Sequence, residues 1–230
     1  MKVQREDAVR TRKSLLDAAS EVFAEKGYRD ATIAEICEKA GANIAAVNYH
    51  FRNKETLYKE AWRYSFSESV KAHPPDGGVS DTAPPEERLR GQVTALLHRI
   101  ADENNKEFLF VQKELANPTG LLEEVMQEEI RPLHEKMESL VRELLGPRCP
   151  DMRVRFCTIS IISQCINPAV GMKGRKEMRE AKDGPPGVDD IEAYSKHVVK
   201  FSLAGIHALR YGAEKKRRSI ERCQRNGSNS

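Results

Sequence analysis

The chain has no run of eighteen consecutive apolar residues, and so no segment that meets the length criterion for a membrane-spanning helix. Its first residues, MKVQREDAVRTRK, lack the apolar core of a secretory signal, so the expected location is the cytoplasm and no membrane partner is expected. Cysteine is scarce. Five thiols, an odd number without paired short spacings, argue against a disulfide framework and against a Cys-rich zinc module. Catalytic frames are missing as well: the six histidines form no HExxH, and there is no GxSxG, no phosphate-cradling glycine loop and no carboxylate pair framed as acid and base. No enzymatic activity, metal site or cofactor is therefore expected. Nor is there a strong excess of charge of one sign, since the net charge of +3 does not by itself point to nucleic acid.

What remains is a chain of 230 residues, 39% hydrophobic and 32% charged, with enough apolar matter for one large or two small cores. Its periodicity is helical throughout, which makes the expected fold class all-α. A first helix is read from Asp7 to Lys26, with Leu15, Leu16, Ala19, Val22 and Phe23 as its stripe. Later helices are expected at 54–72, 86–101, 106–116, 121–145, 152–172 and 189–210. Pro132 should kink or divide the fourth of these, and Gly146-Pro147 should end it. The segment HPPDGGVSDTAPP, 73–85, is a loop or domain boundary. Lys173 to Gly187 is a hydrophilic insert, and 213–230, carrying Lys215, Lys216, Arg217, Arg218, Arg222 and Arg225, reads as a basic tail, either disordered or a solvated, frayed helix end favoured by the helix dipole.

The densest local signal lies in TIAEICEKAGANIAAVNYHFRNKETLY, Thr32 to Tyr58. Thr32 and Glu35 have the spacing of a capping box, Ile33, Ile36 and Ala40 share an apolar face, and Gly41 stops the helix. Asn43 then caps a second helix, Ile44 to His50, too short to persist alone and held by Val47 and Phe51. Its other face, with Ala45, Ala46, Asn48, Tyr49 and His50, is small or neutral, unlike an ordinary charged solvated face. Small side chains admit a groove floor, Asn48 suits an adenine edge, and Tyr49, His50 and Lys54 suit phosphate oxygens. Spacing alone leaves open a helical hairpin that uses the same Tyr and His to pack at a protein interface. Arg5, Arg10, Arg12 and Lys13, read as lying ahead of the first helix, are further candidates for backbone phosphates.

Residues 8–62 resemble the DNA-binding domain of TetR/AcrR-family transcriptional regulators. The resemblance rests on Phe23-Ala24-Glu25-Lys26-Gly27-Tyr28, Thr32-Ile33, Ala40-Gly41, Tyr49-His50-Phe51 and Lys54-Glu55-Thr56-Leu57. It implies a helix-turn-helix domain over 1–53, a connecting helix over 54–72, and a helical ligand-binding and dimerisation domain over 86–212. It implies double-stranded DNA as partner, read through Thr32, Asn43, Ile44, Ala45, Ala46, Asn48, Tyr49, His50 and Lys54. Many members carry Gly-Thr-Leu-Tyr where this chain has Ala45-Ala46-Val47-Asn48, so the resemblance does not carry over which bases are read. The C-terminal half is similar to the CecR-like group, through Asn43-Ile44-Ala45-Ala46, Lys113-Glu114 before Pro118-Thr119, and Gly146-Pro147 before the Ile159 to Cys165 helix.

Two adjacent helices as apolar as 152–172 and 189–210, in a chain with no membrane signal, suggest a subunit interface, and a larger monomeric core is the competing reading. A homodimer suits the DNA reading, because two recognition helices about 34–36 Å apart read a palindromic operator. The resemblance further implies a ligand-responsive regulator, most often a repressor, released from DNA by an unknown small-molecule effector. Candidate lining residues are His98, Phe108, Gln112, Met126, Met137, Gln164 and Cys165, although ordinary packing explains each of them too. Cys157 and Cys165 share a helix face near Cys149, which invites a redox or metal reading; buried small hydrophobes are the simpler one. The alternatives to a DNA reader are a helical protein-interaction module and, less well supported, an enzyme with an unrecognised site.

Overall fold

The computed structural model describes the backbone of residues 2–102, 104–173, 188 and 190–227, and side chains over 6–102, 104–167, 188 and 190–212. The insert from 174 to 187, Asp189, and the side chains of Arg5, Ala169, Val170 and the basic tail lie outside the described residues. Described regular structure is entirely helical: α1 Lys2–Asp30, α2 Ile33–Ala40, α3 Ile44–Phe51, α4 Lys54–Ala72, α5 Pro85–Ala101, α6 Glu107–Ala116, α7 Glu123–Leu145, α8 Asp151–Lys173 and α9 Ile191–Gly227. The helical periodicity thus translates into an all-α chain.

Helix α1 departs from helical geometry at Gly27, whose φ of 77° a side chain would resist, so the expected break after Lys26 is present. It begins at Lys2 rather than Asp7, so Arg5, Arg10, Arg12 and Lys13 all lie on the helix and not ahead of it. Helix α9 runs on to Gly227 instead of ending near Arg210. Residues 213–225, rich in Glu, Lys and Arg, include many good helix formers and no proline, and the backbone there is a continuation of the helix, nearer the helix-end reading of the tail than the disordered one. Pro132 does not divide α7, which continues through it at the loss of one backbone hydrogen bond.

The chain separates into two compact units, Met1–His73 with Arg99–Pro132 and Pro74–His98 with Leu133–Ser230. The units part at 73/74, at the edge of the 73–85 loop, and again at 98/99 and 132/133, inside α5 and α7, so each of these helices contributes to both units.

In the first unit Leu15, Leu16, Ala19, Val22 and Phe23 of α1 are buried with Ile36, Val47, Phe51, Leu57, Ala61 and Trp62, while Ile33 is half-buried. Phe23, Tyr58 and Phe110 form an edge-on and tilted aromatic cluster that binds α1, α4 and α6. Glu114 explains the Lys113-Glu114 and Pro118-Thr119 spacing. Its carboxylate accepts from the Thr119 N–H at 2.7 Å, the Thr119 hydroxyl at 2.8 Å, the Gly120 N–H at 2.9 Å and the Tyr58 hydroxyl at 3.2 Å. The turn after α6 is therefore stapled to α4.

In the second unit Leu89, Val93 and Leu97 of α5 are buried, as are Leu140, Val141 and Leu144 of α7, Val154, Ile161 and Cys165 of α8, and Val198, Val199 and Ile206 of α9. The 74–84 loop closes on α5 where two glycines meet. A Cβ on Gly91 would stand 2.3 Å from the Asp76 carbonyl oxygen, and one on Gly77 2.5 Å from the Gly91 carbonyl oxygen. Helix α8 buries one face only, leaving Met152, Phe156 and Ile159 exposed.

Candidate nucleic-acid interface

Three side chains set the ends of the helices that carry the site. Thr32 Oγ1 accepts from the Glu35 N–H at 3.2 Å while the Glu35 carboxylate accepts from the Thr32 N–H at 3.0 Å, a complete capping box. Lys26 adds an ion pair to Glu35, and that pair, with the Thr32 N–H and hydroxyl, pulls the Glu35 pKa down to about 2. Asn43 Oδ1 accepts from the Ala46 N–H at 2.9 Å to start α3, and Asn53 Oδ1 accepts from the Thr56 N–H at 2.8 Å to start α4. Between α2 and α3, Gly41 takes the left-handed conformation, φ 62°, and Ala42 N–H closes back on the Cys37 carbonyl at 2.9 Å.

Val47 and Phe51 of α3 are buried to 1% of their surface, so the short helix is fixed by two anchors one turn apart. The opposite side faces outward: Tyr49 is 79% exposed, Ile44 56%, and Asn43, Ala45 and Asn48 are also exposed, with Ala46 and His50 half-buried. An exposed tyrosine and isoleucine beside two alanines is an expensive surface in water and a good one for a groove.

Charge around this face is partly committed. Lys54 Nζ lies 4.6 Å from the Tyr28 ring centroid and 3.5 Å from the Arg29 carbonyl oxygen, and burial lowers its pKa. Arg12 pairs with Glu60 at 2.8 Å and stands over the Phe51 ring at 5.2 Å, bracing α3 from behind. Burial, then the Arg12 guanidinium, hold the His50 pKa below its ordinary value, so this imidazole is neutral at pH 7. A polar cleft of about 500 Å³ opens beside the N-terminus of α3, lined by Arg10, Thr11 and Ser14 of α1 and by Ala40 to Asn43 and Ala46. Thr11, next to Arg10, and Ser14, one turn on, were not singled out by sequence reasoning; both are half-buried, and the Thr11 hydroxyl donates to the Asp7 carbonyl at 2.9 Å.

The seven expected ligand-lining residues are divided between the two units. Phe108, Gln112 and Met126 fall in the first unit and His98, Met137, Gln164 and Cys165 in the second. His98 turns to Glu192 at 2.9 Å, and Met137 and Cys165 are buried core residues, with burial pushing the Cys165 thiol up to about 12. Gln164 alone among them lines the apolar groove of about 580 Å³ along α8 and α9, and its amide donates to the Ser160 carbonyl. That groove carries Phe156 and Phe201, 61% and 63% exposed, and Ser202, whose buried hydroxyl has no partner among the described residues. No described group of three or more His, Cys, Asp or Glu side chains is arranged to hold a metal, and no described helix is long and apolar enough to cross a membrane.

Fold and site together define an all-helical protein of the helix-turn-helix class, with the presented face on α3. A family model described as bacterial regulatory proteins, tetR family, matches residues 15–61, and one described as the C-terminal domain of the HTH-type transcriptional dual regulator CecR matches residues 85–206, just over half of the chain. The chain belongs to the TetR family of transcriptional regulators and carries a CecR-type C-terminal domain. The dual regulator CecR of Shigella flexneri is 28% identical over 67% of this chain and 74% of its own length, and the regulator AcrR of the same organism is 33% identical over 27% of this chain and 29% of its own. Among solved structures, the fatty acid degradation regulator FadR of Bacillus halodurans superposes with a TM-score of 0.62 at 20% identity, covering 84% of this chain and 98% of that one. AibR, solved with isovaleryl coenzyme A and operator DNA, gives 0.62 at 19% identity over 83% and 97% of the two chains, a likeness of fold.

Proposed function

We propose that the protein is a ligand-responsive repressor that binds a palindromic operator as a homodimer and leaves it when a small molecule binds. The observation that carries the reading is the uncharged outward face of α3, presented by a helix whose other side is locked by Val47 and Phe51. Ala45, Ala46 and Asn48 read base edges; Ile44 offers an apolar contact for a thymine methyl; Thr32, Asn43, Tyr49, His50 and Lys54 face the flanking phosphates. For Lys54 this requires leaving the Tyr28 ring, and for Thr32 the backbone N–H groups of the α2 start are the better donors, because its hydroxyl already serves the cap.

The second copy docks along α8 and α9. Met152, Phe156, Ile159, Phe201 and Tyr211 are large apolar side chains left exposed on these two helices, and the partnerless Ser202 hydroxyl lies among them. Symmetry pairing of both helices gives a four-helix bundle and sets two α3 helices for successive major grooves. The effector reading draws support from AibR, solved with both an acyl coenzyme A and its operator. The test is a titration of genomic duplex fragments across a salt series: affinity falls steeply with salt for a DNA reader and hardly at all for an apolar protein interface. Phe201→Glu should give a monomer by sedimentation and lose operator affinity together with dimerisation; a variant that stays dimeric places the interface elsewhere.

A further inference from the structure

Within the first unit an alternating series of charges runs from the buried side of α3 to α7. Arg12 of α1 stands over the Phe51 ring at 5.2 Å, and its Nη2 donates to Glu60 Oε2 at 2.8 Å. The other oxygen of the same carboxylate, Oε1, accepts from Arg63 Nη1 at 3.2 Å, one turn along α4. Arg63 turns its remaining nitrogens to α7: Nη2 donates to Glu128 Oε2 at 2.7 Å, and Nε lies 3.5 Å from Glu129 Oε1. Both ends of the series matter. Phe51 is one of the two anchors of α3, and α7 is a helix that both units share.

Isolated exposed ion pairs contribute little, and Arg63 and Glu60 keep 37% and 29% of their side chains exposed. Here no member moves alone, because Arg63 meets the carboxylates of Glu60, Glu128 and Glu129, and Glu60 meets the guanidinium groups of Arg12 and Arg63. While α7 holds Arg63, Glu60 is left to orient Arg12 over Phe51. Without the α7 carboxylates, Arg63 turns fully to Glu60, three residues away on the same helix, and draws it from Arg12. We propose that Arg63 is a positioning residue for the recognition helix: gripped by Glu128 and Glu129, it leaves Glu60 to hold Arg12 against Phe51, and a shift of α7 that withdraws those carboxylates loosens α3. This role rests on the DNA reading above and names the route by which α7 acts on that face.

The test uses the full-length protein and four variants: Glu128→Gln with Glu129→Gln, Glu60→Gln, Arg12→Met, and Glu68→Gln, which cuts an ion pair with Lys71 elsewhere on α4. Each carboxylate removed makes the chain more cationic, which by bulk charge alone raises affinity for a duplex. The α7 double variant and Glu60→Gln should instead lower it by about two- to fivefold at low salt, and Glu68→Gln should not lower it. Hydrogen exchange at amides 47–52 of the free protein should quicken by a similar factor in the first three variants. His50 supplies an independent sign. Beyond burial, the Arg12 guanidinium holds its pKa down, so removing that group in Arg12→Met, or displacing it in the carboxylate variants, should raise the His50 titration followed by NMR. Loss of a carboxylate acting directly on the imidazole would lower it. Adding the α7 double variant to Glu60→Gln should change nothing further, since the series is already cut. Duplex affinity that holds or rises in the α7 double variant, amides 47–52 that exchange as in the parent, a His50 pKa that falls, or additive effects overturn the proposal. If the parent binds no duplex while exchange and His50 respond as described, the positioning role stands and the DNA reading falls. If the parent binds duplex and the variants leave α3 unchanged, the reverse holds.

Discussion

Replacing Val47 with Ala isolates the step on which DNA reading depends, the anchoring of α3. The helix has eight residues, about 12 Å of length, and a helix of that size has no stability of its own in water. Val47 is 1% exposed. Its two lost methyl groups are worth about 0.8 kcal/mol each by transfer, and the residual cavity raises the total to about 2–3 kcal/mol. Because α3 is held by only two buried anchors, most of that cost should appear as local opening. Hydrogen exchange of the full-length protein should then show the amides of 47–52 losing about 30- to 150-fold in protection, the same free energy at about 1.4 kcal/mol per decade. Duplex affinity should fall with it. Tyr49→Ala, on the exposed side of the same helix, should lower affinity while leaving protection unchanged. If Val47→Ala exchanges like the parent, α3 is held by something other than its buried face, and the reasoning fails.

Further outcomes are specific enough to check. Thr32→Ala removes the hydroxyl of the capping box and should cost about 1 kcal/mol in urea unfolding at pH 7. The share carried by the Glu35 carboxylate, whose pKa is depressed from 4.5 to about 2 in the folded chain, is complete above pH 4.5 and fades as pH falls toward 2. His50 has linkage of the same sign in the free protein, at higher pH: its lowered pKa means the unfolded chain takes the proton more readily, so stability falls as pH drops through the ordinary histidine range. Phosphates in the complex favour the imidazolium, so operator affinity should rise as pH falls from about 7 to 5, and His50→Gln should abolish that rise. Gly91→Ala should destabilise the chain by about 1–3 kcal/mol, because the new Cβ meets the Asp76 backbone and backbone cannot give way as a side chain would. A thermal shift no larger than that of Gly205→Ala, which meets nothing within 4 Å, would contradict it.

The helix-turn-helix was legible because its signals are local. Thr32, Gly41 and Asn43 declare helix ends within four residues of the groups they satisfy, and Val47 and Phe51 declare a buried side by spacing alone. Gly27 was readable for the same reason. The unit boundaries were not, since they follow from long-range partners such as Tyr58 with Glu114 and Arg63 with Glu128 that leave no pattern in sequence. Lys54 and Arg12 illustrate a related limit: each reads as a free cation, yet one covers Tyr28 and the other pairs with Glu60. Amphipathic character by itself does not distinguish a pocket wall from a core, and two of the residues chosen on that ground, Met137 and Cys165, are buried in the second unit. The length of α9 beyond Arg210 was concealed by charge, which suggests disorder where the same residues also favour helix.

Selection of host genomic fragments by the full-length protein, run in parallel with Asn48→Ala and Tyr49→Ala, addresses DNA reading most directly. The parent should enrich an inverted repeat whose half-sites lie one helical turn apart, Asn48→Ala should enrich an altered half-site, and Tyr49→Ala should recover the parental repeat with lower affinity throughout. Fragments sharing no repeat, or three proteins enriching one motif equally well, would show that the outward face of α3 is not what meets DNA.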